Sequence, residues 1–280
     1  MIPCKEYFAL KREELKQKIE NVTCYTGCRP KLVIFKFGDD PSSTSYIKGI
    51  SKDCDIVGID AVVKDIGYDI TSEELNFEIM MACLEFDGVM VQAPLPRHID
   101  REKINIPVYA DVDGWGKNAM FKPCTPLGVI NYLKYNNYDF EGKDICVVGR
   151  SEHVGKPLAR MLTDLDATVM LCHSKTRNLN KYFMRADLVI TAIDKVEYFG
   201  REYSLLGNVI DIGLGLNKEG KLKGNLTDDT IASIINWHTY IKDGFIISGT
   251  GGVGLLTRLE LLNNTYEAFC MRGKAVKYEY

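Results

Sequence analysis

The run KDICVVGRSEHVGKPLARML, residues 143–162, carries the clearest chemical arrangement in the chain. Apolar residues from Ile145 to Val148 lead into Gly149, and Val154, Leu158, Met161, Leu162 and Leu165 then recur at helical spacing. A helix that starts just after a glycine turn aims unpaired N–H groups and the positive end of its dipole at whatever sits above the turn, which suits a pyrophosphate. Ser151 stands where the usual dinucleotide pattern has its second glycine, so the turn alone leaves an ordinary βα connection as an open reading. The following strand says more. It ends in Cys172-His173-Ser174-Lys175-Thr176, offering hydroxyls and a cation where an NAD site would place an acid for the ribose 2′-hydroxyl. With Arg150 beside the turn glycine, the residues point to NADP rather than NAD.

The first half offers a different set. Tyr46, Ile50, Cys54 and Val57 fall on one helix face; the last three read as a core stripe, while a tyrosine near a helix start can lay its ring on a ligand. Gln92, in VQAPLP, stands at the carboxyl end of a buried-looking strand, where ligands gather in open α/β sheets. DVDG sets Asp111 and Asp113 before a glycine, with turn chemistry as the competing reading. SGTGGVGLLT contributes Gly249, Gly251, Gly252 and Gly254, enough for backbone to approach a planar ligand and enter a helix. His98, His153, His173 and His238 are not spaced as metal ligands, and a lone histidine at a strand end is expected to pack or hydrogen-bond. Nine cysteines without a C-x-x-C pair suggest a reduced protein with buried thiols, Cys24 and Cys28 being structural.

These residues need elements to hold them. Strands are expected at residues 31–37, 61–66, 88–92, 144–148, 168–172, 187–192, 209–212 and 245–248, with helices at 42–57 and 72–85 entered through Asp40-Pro41 and Thr71-Ser72. A final helix runs from Gly254 to about Arg272. The alternation is that of an α/β protein with a largely parallel sheet, and the proline-bearing stretch 97–126 marks the change of domain. Net charge is −3 with Lys and Arg scattered, so nucleic acid is not an expected partner. No apolar run approaches a membrane span and the first twenty residues hold no secretory core, which makes the cytoplasm the expected address.

Read in order, FGDDPSSTSY, VQAPLP, DVDG followed by KPCTP, VVGRSEHVGKP, ATVMLCHSKT and GGVGLLT resemble the bifunctional methylenetetrahydrofolate dehydrogenase/cyclohydrolase family, over residues 30–265. The resemblance implies two domains: an N-terminal α/β folate domain (1–122 plus 253–280, with the C-terminal helix returning to it) and a Rossmann-type doubly wound NADP-binding domain (123–252). It implies a folate cleft between the domains and a homodimer of one-carbon metabolism. The reaction implied is hydride transfer from 5,10-methylenetetrahydrofolate to NADP, then hydration and opening of the methenyl cation to 10-formyltetrahydrofolate. Carried over residue by residue, Tyr46 packs against folate, Gln92 lies near the reacting carbon and Asp113 accepts pterin N–H groups. Ile50, Val91, Ala93, Pro94, Thr250, Gly251, Gly252, Val253 and Gly254 fall in the substrate-binding segments. Gly149, Arg150, Ser151, Ser174, Lys175 and Thr176 hold phosphates and ribose, with Leu214 near the nicotinamide. No metal is implied.

The sequence departs from this family pattern. The helix of the family reads Tyr-x-x-x-Lys, its lysine handling a proton in the cyclohydrolase step, whereas here residue 50 is isoleucine. Lys48 and Lys52 lie about 200° and 240° around an ideal helix from Tyr46, and only a distortion at Gly49 would bring either amine into place. Ala110 replaces a lysine before DVDG, Thr250 and Leu255 replace prolines around GGVG, and Asp194-Lys195-Val196 stands for a Gly-x-Pro turn. The expectation is a dehydrogenase with weak or absent cyclohydrolase activity. The alternatives are a fully bifunctional enzyme with a rebuilt proton relay, and a silent folate- and NADP-binding protein.

Overall fold

The apolar run KLVIFKF forms β1 (Lys31–Phe37). In the computed structural model, which describes residues 1–116, 118–205, 207–239, 244–248 and 252–273, this strand is the middle of a three-stranded parallel sheet between β2 (Asp60–Ile66) and β3 (Gly88–Val91). Leu32, Val33, Ile34 and Phe35 are buried without gaps, as a parallel strand covered on both faces requires. The crossovers are α2 (Pro41–Val57) and α3 (Ser72–Glu85). Asp40 accepts the Ser43 N–H at 2.7 Å with Pro41 opening the helix, and Thr71 and Glu74 satisfy each other's backbone in a capping box. Ile47, Ile50, Cys54 and Val57 of α2 pack on one sheet face with Leu15 and Ile19 of α1 (Cys4–Thr26), Leu261 and Leu262. On the other face Val33 and Phe35 meet Leu75 and Ile79 of α3.

After α4 (Cys124–Tyr135), a second sheet begins with β4 (Asp144–Val148) and continues through α5 (Gly155–Thr163), β5 (Thr168–Cys172), α6 (Asn180–Phe183), β6 (Leu188–Thr191) and β7 (Asn208–Asp211). A short antiparallel pair, β8 (Gly215–Leu216) and β9 (Leu222–Lys223), precedes α7 (Asp228–His238), β10 (Ile246–Ile247) and α8 (Gly254–Met271). The five-stranded sheet has order β10-β7-β6-β4-β5 and is parallel throughout. The chain leaves β4 toward β5 on one side and returns to β6 on the other, so the carboxyl end of β4 is a topological switch point, where ligands bind in such sheets.

The chain divides into two compact units, Met1–Phe8 with Thr125–Thr257, and Ala9–Cys124 with Arg258–Tyr280. Residues 1–8 and 253–257, placed with the first domain by the sequence reading, therefore group with the second sheet instead. The anchors of residues 1–8 lie on and just after α4: the Tyr7 ring packs 5.3 Å from Tyr132, and the Ile2 N–H donates to Asn136 Oδ1 at 2.8 Å. Helices α1, α4, α6 and α7 add to the expected elements. The anticipated strand 245–248 shrinks to two residues that pair only with Val209 and Ile210, and Leu165 lies past the end of α5. Cys24 and Cys28 are exposed free thiols, which corrects the expectation of buried cysteines at those two positions; Cys4, Cys54, Cys83, Cys124, Cys146 and Cys172 are buried. No described helix is long and apolar enough to cross a membrane.

Candidate active site

At the switch point, backbone comes close because side chains are absent. Gly149 has φ +132°, and a Cβ there would strike the Ala192 carbonyl; a Cβ on Gly155 would strike the Gly149 carbonyl. The pair lets the first turn of α5 close onto β4 and leaves a cradle that any side chain would fill. Ser151 Oγ accepts the Val154 and Gly155 N–H groups at 3.2 and 3.3 Å, so its hydroxyl is held at the mouth of that cradle. Arg150, Ser174 and Lys175 are exposed at the ends of β4 and β5. Thr176 Oγ1 accepts the His173 N–H at 2.9 Å, and His173 Nδ1 accepts the Lys175 N–H at 3.2 Å, which makes His173 a brace for the loop. The loop contains no acid, and Arg177, exposed, extends its positive character beyond the residues singled out from sequence. The residues fit a dinucleotide carrying an additional phosphate on its ribose.

Leu214 is 45% exposed and lines a cavity of about 630 Å³ formed by residues 194–198 and 214–216. The shape of this cavity depends on residues the sequence reading missed. Asn225 Nδ2 donates to the Ile193 and Lys195 carbonyls at 2.8 and 2.6 Å, holding the loop 193–195. Asn225 is itself placed by Asp211, whose buried carboxylate accepts from Thr191 Oγ1 at 2.9 Å and from the Asn225 and Leu226 N–H groups at 3.0 and 3.1 Å. Asp211 ends a strand in NVIDIG, and that position was the available signal.

The other unit holds Tyr46, Asp113 and Gln92, with the Tyr46 hydroxyl under the influence of the Asp113 charge. Tyr46 is half-buried against the α2 core, and its hydroxyl is held un-ionised by burial first, then by negative charge at Asp113 and Cys124, with the Arg258 guanidinium acting in the opposite sense. Burial and the neighbouring Asp111 push the Asp113 carboxyl up to about 7, against the opposing influence of the Cys124 thiol and the Arg101 guanidinium. Cys124 Sγ lies 3.3 Å from the Val112 carbonyl and receives the Asn264 amide at 3.5 Å, which fixes the thiol beside Asp113. Arg101 stacks 3.5 Å from the Trp115 ring centroid, an arrangement with no sequence signature. Asp111, by contrast, is a turn residue: its buried oxygens accept the Trp115 and Gly116 N–H groups at 2.9 and 2.6 Å.

Gln92 follows β3 directly. Its N–H donates to the Phe35 carbonyl at 2.9 Å and its Nε2 to the Ala93 carbonyl at 2.7 Å, leaving Oε1 buried without a hydrogen-bond partner among the described residues. The Ser43 hydroxyl also donates to Ala93 O, at 2.9 Å, which ties the start of α2 to this loop one turn before Tyr46. Ala93 and Pro94 are exposed and joined by a cis peptide. Ile50 and Val91 are 0% and 1% exposed; they back the site from within the core and present no side chain at its surface. Helix α2 runs unbroken through Gly49, and Lys48 and Lys52 are exposed, so neither amine is brought toward Tyr46. Gly252 and Val253 are buried and Gly254 half-buried, while Gly249, Thr250 and Gly251 lie outside the described residues. His98 Nε2 is 2.8 Å from the Ile70 carbonyl and His238 Nε2 3.0 Å from that of Gly207, both bracing loops. Among the described residues no cluster could hold a metal ion.

Known proteins match this arrangement along nearly its whole length. Residues 2–113 match the tetrahydrofolate dehydrogenase/cyclohydrolase catalytic domain, and residues 123–273 the NAD(P)-binding domain of the same family. The bifunctional protein FolD of Bacillus mycoides is 35% identical over 272 residues, 92% of each chain. Among solved structures, the bifunctional FolD enzyme of Campylobacter jejuni superposes with a TM-score of 0.86 at 33% identity, covering 96% of this chain and 98% of its own. The Trypanosoma brucei dehydrogenase-cyclohydrolase, complexed with NADP cofactor and inhibitor, superposes at 0.83 with 25% identity and 98% of each chain covered. With both family domains matched in sequence and fold, the chain belongs to the tetrahydrofolate dehydrogenase/cyclohydrolase family.

Proposed function

We propose that this chain oxidises 5,10-methylenetetrahydrofolate to the methenyl form with NADP, and that its cyclohydrolase step is weak or lost. The observation that carries the reading is the Tyr46–Asp113–Gln92 constellation with an apolar, fully buried Ile50 one helical turn below the tyrosine. In this reading the Tyr46 ring lies on the pterin and Asp113 accepts its N–H groups. Gln92 Oε1, buried and without a hydrogen-bond partner among the described residues, faces the reacting end of the substrate. Bound NADP supplies the acceptor for the hydride. Gly149 and Gly155, having no side chains, would leave room for its pyrophosphate at the turn, while Arg150, Ser174, Lys175 and Thr176 would take the ribose phosphate. Hydride transfer needs alignment of two carbons and no protein proton carrier, so it survives the loss of a lysine. Hydration of the methenyl cation does need proton handling. An aliphatic side chain neither gives nor takes a proton, and removing such a catalyst costs about 10²- to 10⁴-fold.

The direct test mixes purified protein with methylenetetrahydrofolate and NADP and follows NADPH together with the folate product. Robust NADPH formation with methenyltetrahydrofolate accumulating supports the reading; prompt conversion to the 10-formyl product overturns it. Assembly as a homodimer is part of the same proposal. Exposed Phe77, Met81 and Leu84 recur along α3 at helical spacing, an apolar stripe suited to a subunit contact.

A further inference from the structure

Arg258, whose charge already acts on the Tyr46 hydroxyl, occupies an unusual position. It rises from the first turns of α8 and lays its guanidinium across Gly49 of α2, where a Cβ would strike Nη1. Its Nε is 3.0 Å from Asp53 Oδ2, and Asp53 Oδ1 is held at 2.7 Å by Arg12 Nη1 of α1. Asp53 is 3% exposed, so this pairing is screened little by salt. On α2, residues 46, 49 and 53 lie within about 60° of one another, while residue 50 lies about 40° to the other side of Tyr46. The guanidinium thus approaches the tyrosine stripe from α8, through the gap left where residue 49 has no side chain.

We infer that Arg258 is a positioning residue for folate: seated over Gly49 and anchored by Asp53, it supplies the fixed charge that orients Tyr46, in place of an amine from position 50. A guanidinium stays protonated, so it orients and polarises a neighbouring hydroxyl without carrying a proton to or from substrate. Substrate placement is kept and proton transfer is not. The inference rests on the reading of Tyr46 as the ring that packs on folate.

Four variants test it through dehydrogenase kinetics: Arg258→Gln, Arg258→Lys, Gly49→Ala and Tyr46→Ala. Arg258→Gln is expected to raise KM for methylenetetrahydrofolate about tenfold while kcat changes by less than about threefold, and Arg258→Lys to recover most of the loss. Gly49→Ala expels the guanidinium without altering Arg258 and is expected to give the same KM defect, with no further rise in the Gly49→Ala/Arg258→Gln double variant. A purely structural role for the Arg258–Asp53 pair predicts instead that Gly49→Ala and Arg258→Gln lower the melting temperature and leave KM for folate unchanged. A normal KM in both Gly49→Ala and Arg258→Gln, with Tyr46→Ala impaired, overturns the inference alone. A normal KM in Tyr46→Ala overturns the folate reading beneath it.

Discussion

Asp113 is the residue whose chemistry is most exposed to measurement. Its carboxyl is pushed up to about 7 by burial and by Asp111, in a surround that also contains Arg101, Cys124 and Tyr46. In its proposed role as an acceptor of pterin N–H groups it must be ionised. Affinity for folate substrate should therefore fall as pH drops below about 7, approaching about tenfold per unit, and Asp113→Asn should remove that limb along with most of the activity. Stability moves the other way. The native carboxyl holds its proton up to a higher pH than the unfolded one, so the native state loses stability as pH rises from the ordinary carboxylate range toward 7 and levels off above it. At pH 8 Asp113→Asn should melt no lower than the parent in a thermal scan; a clear loss of melting temperature would contradict the picture of a destabilised carboxylate. Tyr46, Gln92 and Asp113 were legible in sequence because each sits in a short local motif. Arg258, Arg101 and Asn225 were not, since what places them is a partner far along the chain: Gly49 and Asp53, Trp115, or Asp211.

At the scale of elements, the turn from β4 into α5 makes the sharpest statement. A methyl at residue 155 meets the Gly149 carbonyl, so Gly155→Ala should raise KM for NADP by at least about tenfold while leaving KM for folate within about twofold, read from initial rates with each substrate varied in turn. Equal KM for NADP in variant and parent would mean that the cofactor does not use this cradle. The strands were legible because buried parallel strands read as continuous apolar, β-branched-rich runs, and β1, β4 and β6 fall where that signal places them. The α2 and α3 starts were legible through Asp40-Pro41 and Thr71. Helix α1 was not, because its buried Phe8, Leu15 and Ile19 are widely spaced among charges. The edge strand β10 was overestimated, as only two of its residues find partners on β7.

The whole molecule is two compact units with separate cores, and the candidate residues divide between them: Gly149 to Leu214 in one, Tyr46 to Asp113 in the other. Hydrogen exchange should show this division, with NADP slowing amides at 149–155 and 173–176; no protection there would remove the proposed cofactor site. The α/β class and two-part organisation were visible in the alternation of strands and helices, but the grouping of Met1–Phe8 with Thr125–Thr257 was not, because it depends on Tyr7 and Ile2 meeting α4. In the function proposed, this framework keeps hydride transfer and gives up hydration at residue 50. This is tested most directly by adding 5,10-methenyltetrahydrofolate to the parent protein and to Ile50→Lys and comparing its decay with the spontaneous rate. Decay near background is expected for the parent and about 10²-fold or more above the parent for Ile50→Lys; fast decay with the parent protein would contradict the loss of hydration at residue 50.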